Sequence, residues 1–155
     1  MKIKRILVPV DFSKQSRKAL DYAIELARPT AAQVVALFVV EPIYYAEPDL
    51  AGAVGSTVGG LLEQQRSGAE KQLARLRARL AKRCIKLRTL LQEGTPYQAI
   101  VDTARTIKAD LIVISTHGRT GLSHLLMGSV AEGTARTVEG CVLSVRTGAE
   151  PFSLP

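Results

Sequence analysis

Leu111-Ile112-Val113-Ile114, followed by Ser115-Thr116-His117-Gly118 and, nine residues on, by Gly128-Ser129, is the stretch on which the fold depends. The first four residues have no polar face, as expected of a central parallel strand covered on both sides. A glycine-bearing connection then leads into Ser129-Val130-Ala131-Glu132. A helix starting there presents unpaired N–H groups and the positive end of its dipole, and such an end accepts an anion. Gly118, Gly121 and Gly128 let the backbone pass close to a bulky polyphosphate, and the Ser129 hydroxyl adds a donor at the helix start. The same glycines also suit an ordinary strand-to-helix connection with tight turns.

On either side of this stretch, apolar runs alternate with helical patterns, the signature of an α/β domain with a mainly parallel sheet. Five strands and four helices are expected. Strand one covers about residues 3 to 10, and strand two, Gln33 to Glu41, passes through Val34-Val35-Ala36-Leu37-Phe38-Val39-Val40 without a polar break. Both read as buried. Residues 85 to 91 alternate, with Lys86 and Arg88 between Ile85, Leu87 and Thr89, so strand three has a wet face or lies at an edge. These burial patterns predict a three-layer, Rossmann-like open sheet of five parallel strands in the order 3-2-1-4-5, with helices on both faces.

Ser13 is placed to cap helix one, which buries Leu20, Ala23, Ile24 and Ala27 at helical spacing. Thr95-Pro96 reads as a cap followed by a first-turn proline, with Ile100, Ala104 and Ile107 as the inner stripe of helix three. Residues 41 to 60, rich in Gly, Pro and Ala, are expected to form a lid or mobile loop.

At 155 residues and 46% hydrophobic content the chain makes one domain, expected over residues 1–147 with a short tail over 148–155. Cys84 and Cys141 are too few for a disulfide framework and read as inert small hydrophobes in a reducing cytosol. The N-terminal segment before Asp11 is too short for a signal peptide, and no run approaches membrane-spanning length, so a cytoplasmic protein with no membrane partner is expected. The net charge of +7 is concentrated: residues 66 to 88 hold nine basic residues and one acid, +8, which leaves −1 for the rest. A nucleic-acid partner is therefore not expected. Lys71, Arg75 and Arg79 form one helical row opposite Leu73, Leu76 and Leu80, and read as a solvated outer face.

At the quoted loop the chain resembles the universal stress proteins, specifically the ATP-binding branch whose loop reads Gly, two residues, Gly, nine residues, then Gly-Ser or Gly-Thr. Gly118, the nine-residue spacing and Gly128-Ser129 match, while Ser115 stands where that branch has its first glycine. Val8-Pro9-Val10-Asp11-Phe12-Ser13 is similar to the family's first strand end, and Val142-Leu143-Ser144-Val145-Arg146 to its last strand, so the resemblance covers nearly the whole chain.

The resemblance implies that Asp11 hydrogen-bonds the adenine, with Pro9 and Val39 walling the base and Ile114 and Ser115 along base and ribose, and Val10 is counted with these binding residues. An ionised carboxylate only accepts, which suits the adenine amino group, although Asp11 also suits a cap beside Ser13. Gly118, Gly121, Gly128, Ser129 and Val130 follow as the phosphate side, with a contact from His117 or Arg119. His117 and His124, seven apart with no acid or cysteine nearby, are too few ligands for a protein-held metal, so Mg²⁺ is expected only with the phosphates of ATP. No Walker sequence, Gly-x-Ser-x-Gly elbow or acid pair accompanies the loop, and no catalytic residue is assigned.

The resulting expectation is an ATP-binding, nucleotide-dependent stress-response regulator. The alternatives are a homodimeric interaction module of the same fold that retains no nucleotide, and a slow ATPase or phosphotransferase. A homodimer through strand five is expected in either binding case, because Val142, Leu143 and Val145 form an apolar strand with too short a tail to cover its edge.

Overall fold

Each apolar run carries backbone donors and acceptors that only a neighbouring strand satisfies once the run is buried, and this pairs the five runs into one sheet. The structure, a computed structural model, describes residues 2–42, 51–83, 85–116 and 127–146, without the side chains of 51–59 and 82. Strands β1 (Arg5–Pro9), β2 (Gln33–Val40), β3 (Lys86–Glu93), β4 (Leu111–Ser115) and β5 (Cys141–Val145) lie in the order β3-β2-β1-β4-β5, every neighbouring pair parallel. This is the expected sheet. Helices α1 (Lys14–Thr30) and α2 (Ala51–Leu80) cover one face, and α3 (Pro96–Ile107) and α4 (Ser129–Thr137) the other.

The unbroken apolar runs divide by strand alternation between two cores. Ile6, Val8, Val34, Ala36 and Val113 pack beneath α1 and α2 with Leu20, Ile24, Leu73 and Leu76. Leu7, Val35, Leu37, Ile112 and Ile114 pack beneath α3 and α4 with Ile100, Ala104 and Ala131. Two-sided burial is what a central strand with no polar face requires. At the edge, β3 exposes Lys86 and Arg88 and only half-buries Leu87.

Two expectations are corrected here. Helix α2 already begins at Ala51, so the second half of the loop expected over 41 to 60 is helical; residues 43–50 lie outside the described residues. Gly52, Gly55, Gly59 and Gly60 read as breakers, each costing about 1 kcal/mol relative to Ala. The helix is nonetheless anchored further along by buried Ala69, Leu73, Leu76 and Leu80, and extending a nucleated helix is far cheaper than starting one. Cys141 is an exposed free cysteine rather than a packed small hydrophobe, because it opens the edge strand β5. Cys84 and the tail over 148–155 fall outside the described residues.

The β1–β4 ladder, at which strand order reverses, has only two register pairs, Ile6↔Leu111 and Leu7↔Ile112. Asp110 reinforces it at the amino edge. Its Oδ2 accepts the N–H groups of Lys4 and Arg5, each at 2.8 Å, and its own N–H donates to the Arg5 carbonyl at 2.9 Å. The two backbone bonds, Lys4 first, hold the carboxyl below its ordinary range. A depressed folded pKa stabilises above the unfolded value and is lost as pH falls through the folded one. The melting-temperature gap between wild type and Asp110→Asn is therefore expected to be constant near neutral pH and to shrink below the ordinary aspartate value of 3.8. Calorimetry across that range checks it.

Candidate functional site

Where β1 ends, the chain must leave the sheet and enter α1 within a few residues, and a short polar turn does this. Ser13 caps the helix, its Oγ accepting the Ser16 N–H at 3.1 Å. The Asp11 carboxylate Oδ1 accepts the Ser13 N–H at 3.0 Å, and the Asp11 N–H donates to Ser16 Oγ at 3.3 Å. Asp11 is thus oriented and part of the cap structure, as its reading as a cap expected. The bond to Ser13 fixes the direction of the carboxylate. Between Asp11 and Ser13, Phe12 adopts a left-handed φ of 62°.

Across the reversal point, β4 ends at Ser115 and the next residue is tied on both sides. Thr116 donates its N–H to the Val145 carbonyl at 3.0 Å and accepts the Gly128 N–H at 2.6 Å. The chain leaving β4 therefore returns to its point of departure, and α4 starts beside the carboxyl end of the strand. Gly128 is the N-cap residue, with φ −74° and ψ 154°, and no side chain caps the helix. The first intrahelical bond runs from the Glu132 N–H to the Gly128 carbonyl at 2.9 Å, so the N–H groups of Ser129, Val130 and Ala131 precede the helical ladder. Gly128 is not needed for a positive φ.

The structure brings several predicted residues into one neighbourhood. Ile114 is buried in the α3/α4 core, and Val39 and Val130 lie half-buried against it. Pro9, half-buried, is in register with Leu37 of that core. Val10 is a correction: it is 6% exposed within the α1/α2 core, and its N–H is committed to the Leu37 carbonyl at 2.8 Å. Its side chain thus belongs to the opposite face. Ser115 follows Val113 by strand alternation, which turns its Cβ away from the Ile114 side. His117, Gly118, Arg119, Gly121 and His124 lie outside the described residues. Among the described residues, no three His, Cys, Asp or Glu side chains converge as a metal site.

Sequence reasoning missed two positioning residues. Thr116, 4% exposed, closes the loop through its backbone, which no side-chain pattern announces. Gly133 lies within α4, where an added Cβ would come within 3.0 Å of Tyr97 Cγ on α3. It lets the two helices approach closely and so fixes where α4 begins. An isolated glycine inside a helical pattern was the available signal.

An open, doubly wound sheet whose order reverses between β1 and β4, with an oriented carboxylate and an uncapped helix start on either side of the reversal, defines a Rossmann-like domain with its crevice at the carboxyl edge. Among the described residues no helix is long and apolar enough to cross a membrane. The chain belongs to the universal stress protein family, whose model matches residues 2–146. It is 34% identical over 143 residues to universal stress protein MJ0531 of Methanocaldococcus jannaschii, covering 92% of this chain and 82% of that one. The universal stress protein UspA of Lactobacillus plantarum superposes with a TM-score of 0.82 at 25% identity, over 94% of this chain and 99% of that one. A universal stress protein of Archaeoglobus fulgidus, solved in complex with dAMP, shares the fold with a TM-score of 0.65 at 22% identity, over 93% and 98% of the two chains.

Proposed function

We propose that the chain binds ATP in the crevice between the Asp11 turn and the start of α4, and acts as a nucleotide-dependent regulator of the stress response in the cytoplasm. The observation that carries this reading is the Gly128 N–H bond to the Thr116 carbonyl, which sets an uncapped helix N-terminus beside the end of β4. Three N–H groups and the dipole there suit a phosphate chain. Asp11, oriented by Ser13, supplies an acceptor for an adenine amino group, and Val39 and Ile114 supply an apolar wall for the base. The Archaeoglobus fulgidus relative with dAMP supports an adenine nucleotide as the ligand class. Mg²⁺ enters with ATP, on its phosphates.

Gly128→Ala and Ser129→Ala are each expected to weaken ATP binding. The first puts a methyl in front of the donors, and the second removes a charge-assisted bond worth about 1.5–3 kcal/mol, or roughly ten- to 150-fold in Kd. Asp11→Ala is expected to reduce the preference for adenine over guanine more than it reduces phosphate affinity. Calorimetric titration with ATP and GTP measures both. Unchanged affinity in the Gly128 and Ser129 variants rejects the crevice, and mass analysis of ligand released from freshly purified protein shows whether nucleotide is retained at all.

We further propose a homodimer through β5. Leu143 is 38% exposed on this edge strand, whereas Val145, 6% exposed, is taken up by the α1/α2 core and leaves Val142 and Leu143 as the apolar part of the edge. The opposite edge strand, β3, exposes Lys86 and Arg88, charges that discourage strand pairing.

A further inference from the structure

On the face of the sheet away from the proposed nucleotide crevice, a cavity of about 180 Å³ opens between α1 and α2. Its apolar lining comes from Val10, Leu20 and Leu76, each less than a tenth exposed, and from the ring of Phe12, which stacks on Phe38 with centroids 4.8 Å apart. Its polar lining is Gln72 and three cations, Arg17 from α1 and Arg75 and Arg79 one turn apart on α2. Arg17 is held in place, its Nε donating to the Ser13 carbonyl at 3.2 Å and its Nη2 to the Phe12 carbonyl at 2.9 Å. Arg66 and Arg83, at either side of this stretch, are paired with Glu93 at 3.1 Å and Asp21 at 2.8 Å. Arg75 and Arg79 have no acidic partner among the described residues.

Like charges one helical turn apart repel, and setting three of them around an apolar hollow concentrates positive potential there. An anion relieves that repulsion, and guanidinium forks match the planar oxygens of carboxylate and phosphate. An inorganic ion makes no use of the apolar floor. The volume is well below the ~300–1,000 Å³ of pockets for drug-sized ligands, which favours a ligand smaller than a nucleotide. Arg75 and Arg79, exposed as expected of a solvated face, thus also form one wall of a concave site. We propose that this cavity is a second ligand site, for a small organic anion with an aryl or short alkyl body bearing a phosphate or carboxylate.

Phenyl phosphate, benzoate and inorganic phosphate serve as probes, titrated into the full chain by calorimetry and by methyl NMR. Phenyl phosphate or benzoate is expected to bind about tenfold or more tightly than inorganic phosphate and to shift the methyls of Val10, Leu20 and Leu76. Arg75→Gln/Arg79→Gln is expected to weaken that binding about tenfold or more, as charge-assisted bonds are lost. Both side chains are exposed, so the fold is retained, which the melting curve verifies. Arg17→Gln, on a different helix, is expected to act in the same direction. Equal affinity for inorganic phosphate, absence of binding, or indifference to the arginine variants overturns the proposal. So does a response confined to Val39, Ile114 and Val130, which would put the probe in the nucleotide crevice. Gly128→Ala is expected to leave probe binding unchanged, so failure of the ATP reading and failure of this one are separable.

Discussion

Ser144→Pro is expected to sediment as a monomer at micromolar concentration where the native chain sediments as a dimer. The choice of Ser144 over its neighbours follows from the backbone. The Val145 carbonyl accepts the Thr116 N–H at 3.0 Å and so faces β4. Backbone groups of successive strand residues point to opposite sides, which turns the N–H of Ser144 to the open edge and that of Leu143 to β4. A proline at Ser144 therefore removes an outward donor while leaving the β4–β5 pairing intact. Leu143→Pro instead breaks a bond inside the sheet and is expected to lower the melting temperature. A native chain that is already monomeric, or a Ser144→Pro chain that remains dimeric, rejects β5 as the contact.

Leu37→Ala is expected to cost about 2–5 kcal/mol, the range for emptying a fully buried leucine site. Leu37 has no exposed surface, lies in the α3/α4 core with Ile112 and Ile114, and accepts the Val10 N–H on its carbonyl. A chain of this length loses about 2–4 °C in melting temperature per kcal/mol, so the fall is expected to be roughly 4–20 °C. Leu143→Ala in the Ser144→Pro background, at a surface position, is expected to change stability by no more than about 0.5 kcal/mol. Thermal melts of the two variants separate core from edge. A small loss at Leu37 would mean that the layer beneath the crevice collapses to fill the space.

The central strands were legible because burial on both faces leaves no polar position, and Val34 to Val40 and Leu111 to Ile114 show that without interruption. The edge position of β3 was legible for the converse reason: Lys86 and Arg88 require water. Ser13 capped its helix as its residue type suggests, whereas Thr95 occupies the cap position of α3 without a side-chain bond. Val10, expected at the site beside Pro9, falls to the α1/α2 face by the same alternation that places Ile6 and Val8 there. The start of α2 was hidden because its anchoring leucines lie some twenty residues further on. The closure at Thr116 and the approach of Gly133 to Tyr97 depend on contacts between distant elements, and composition says nothing of those.

A phenylalanine at φ 62° carries strain of order 1–3 kcal/mol and persists only where its surroundings over-determine it. Here they do: its ring is stacked on Phe38, its carbonyl is clamped by Arg17, and the residues on either side are joined by the Asp11–Ser13 bond. The turn from Asp11 to Ser13 presents a carboxylate toward the proposed crevice on one side of the sheet and a ring to the arginine cavity on the other. The junction of β1 and α1 is therefore a loaded spring shared by both faces, and a glycine at its centre would unload it at the expense of both.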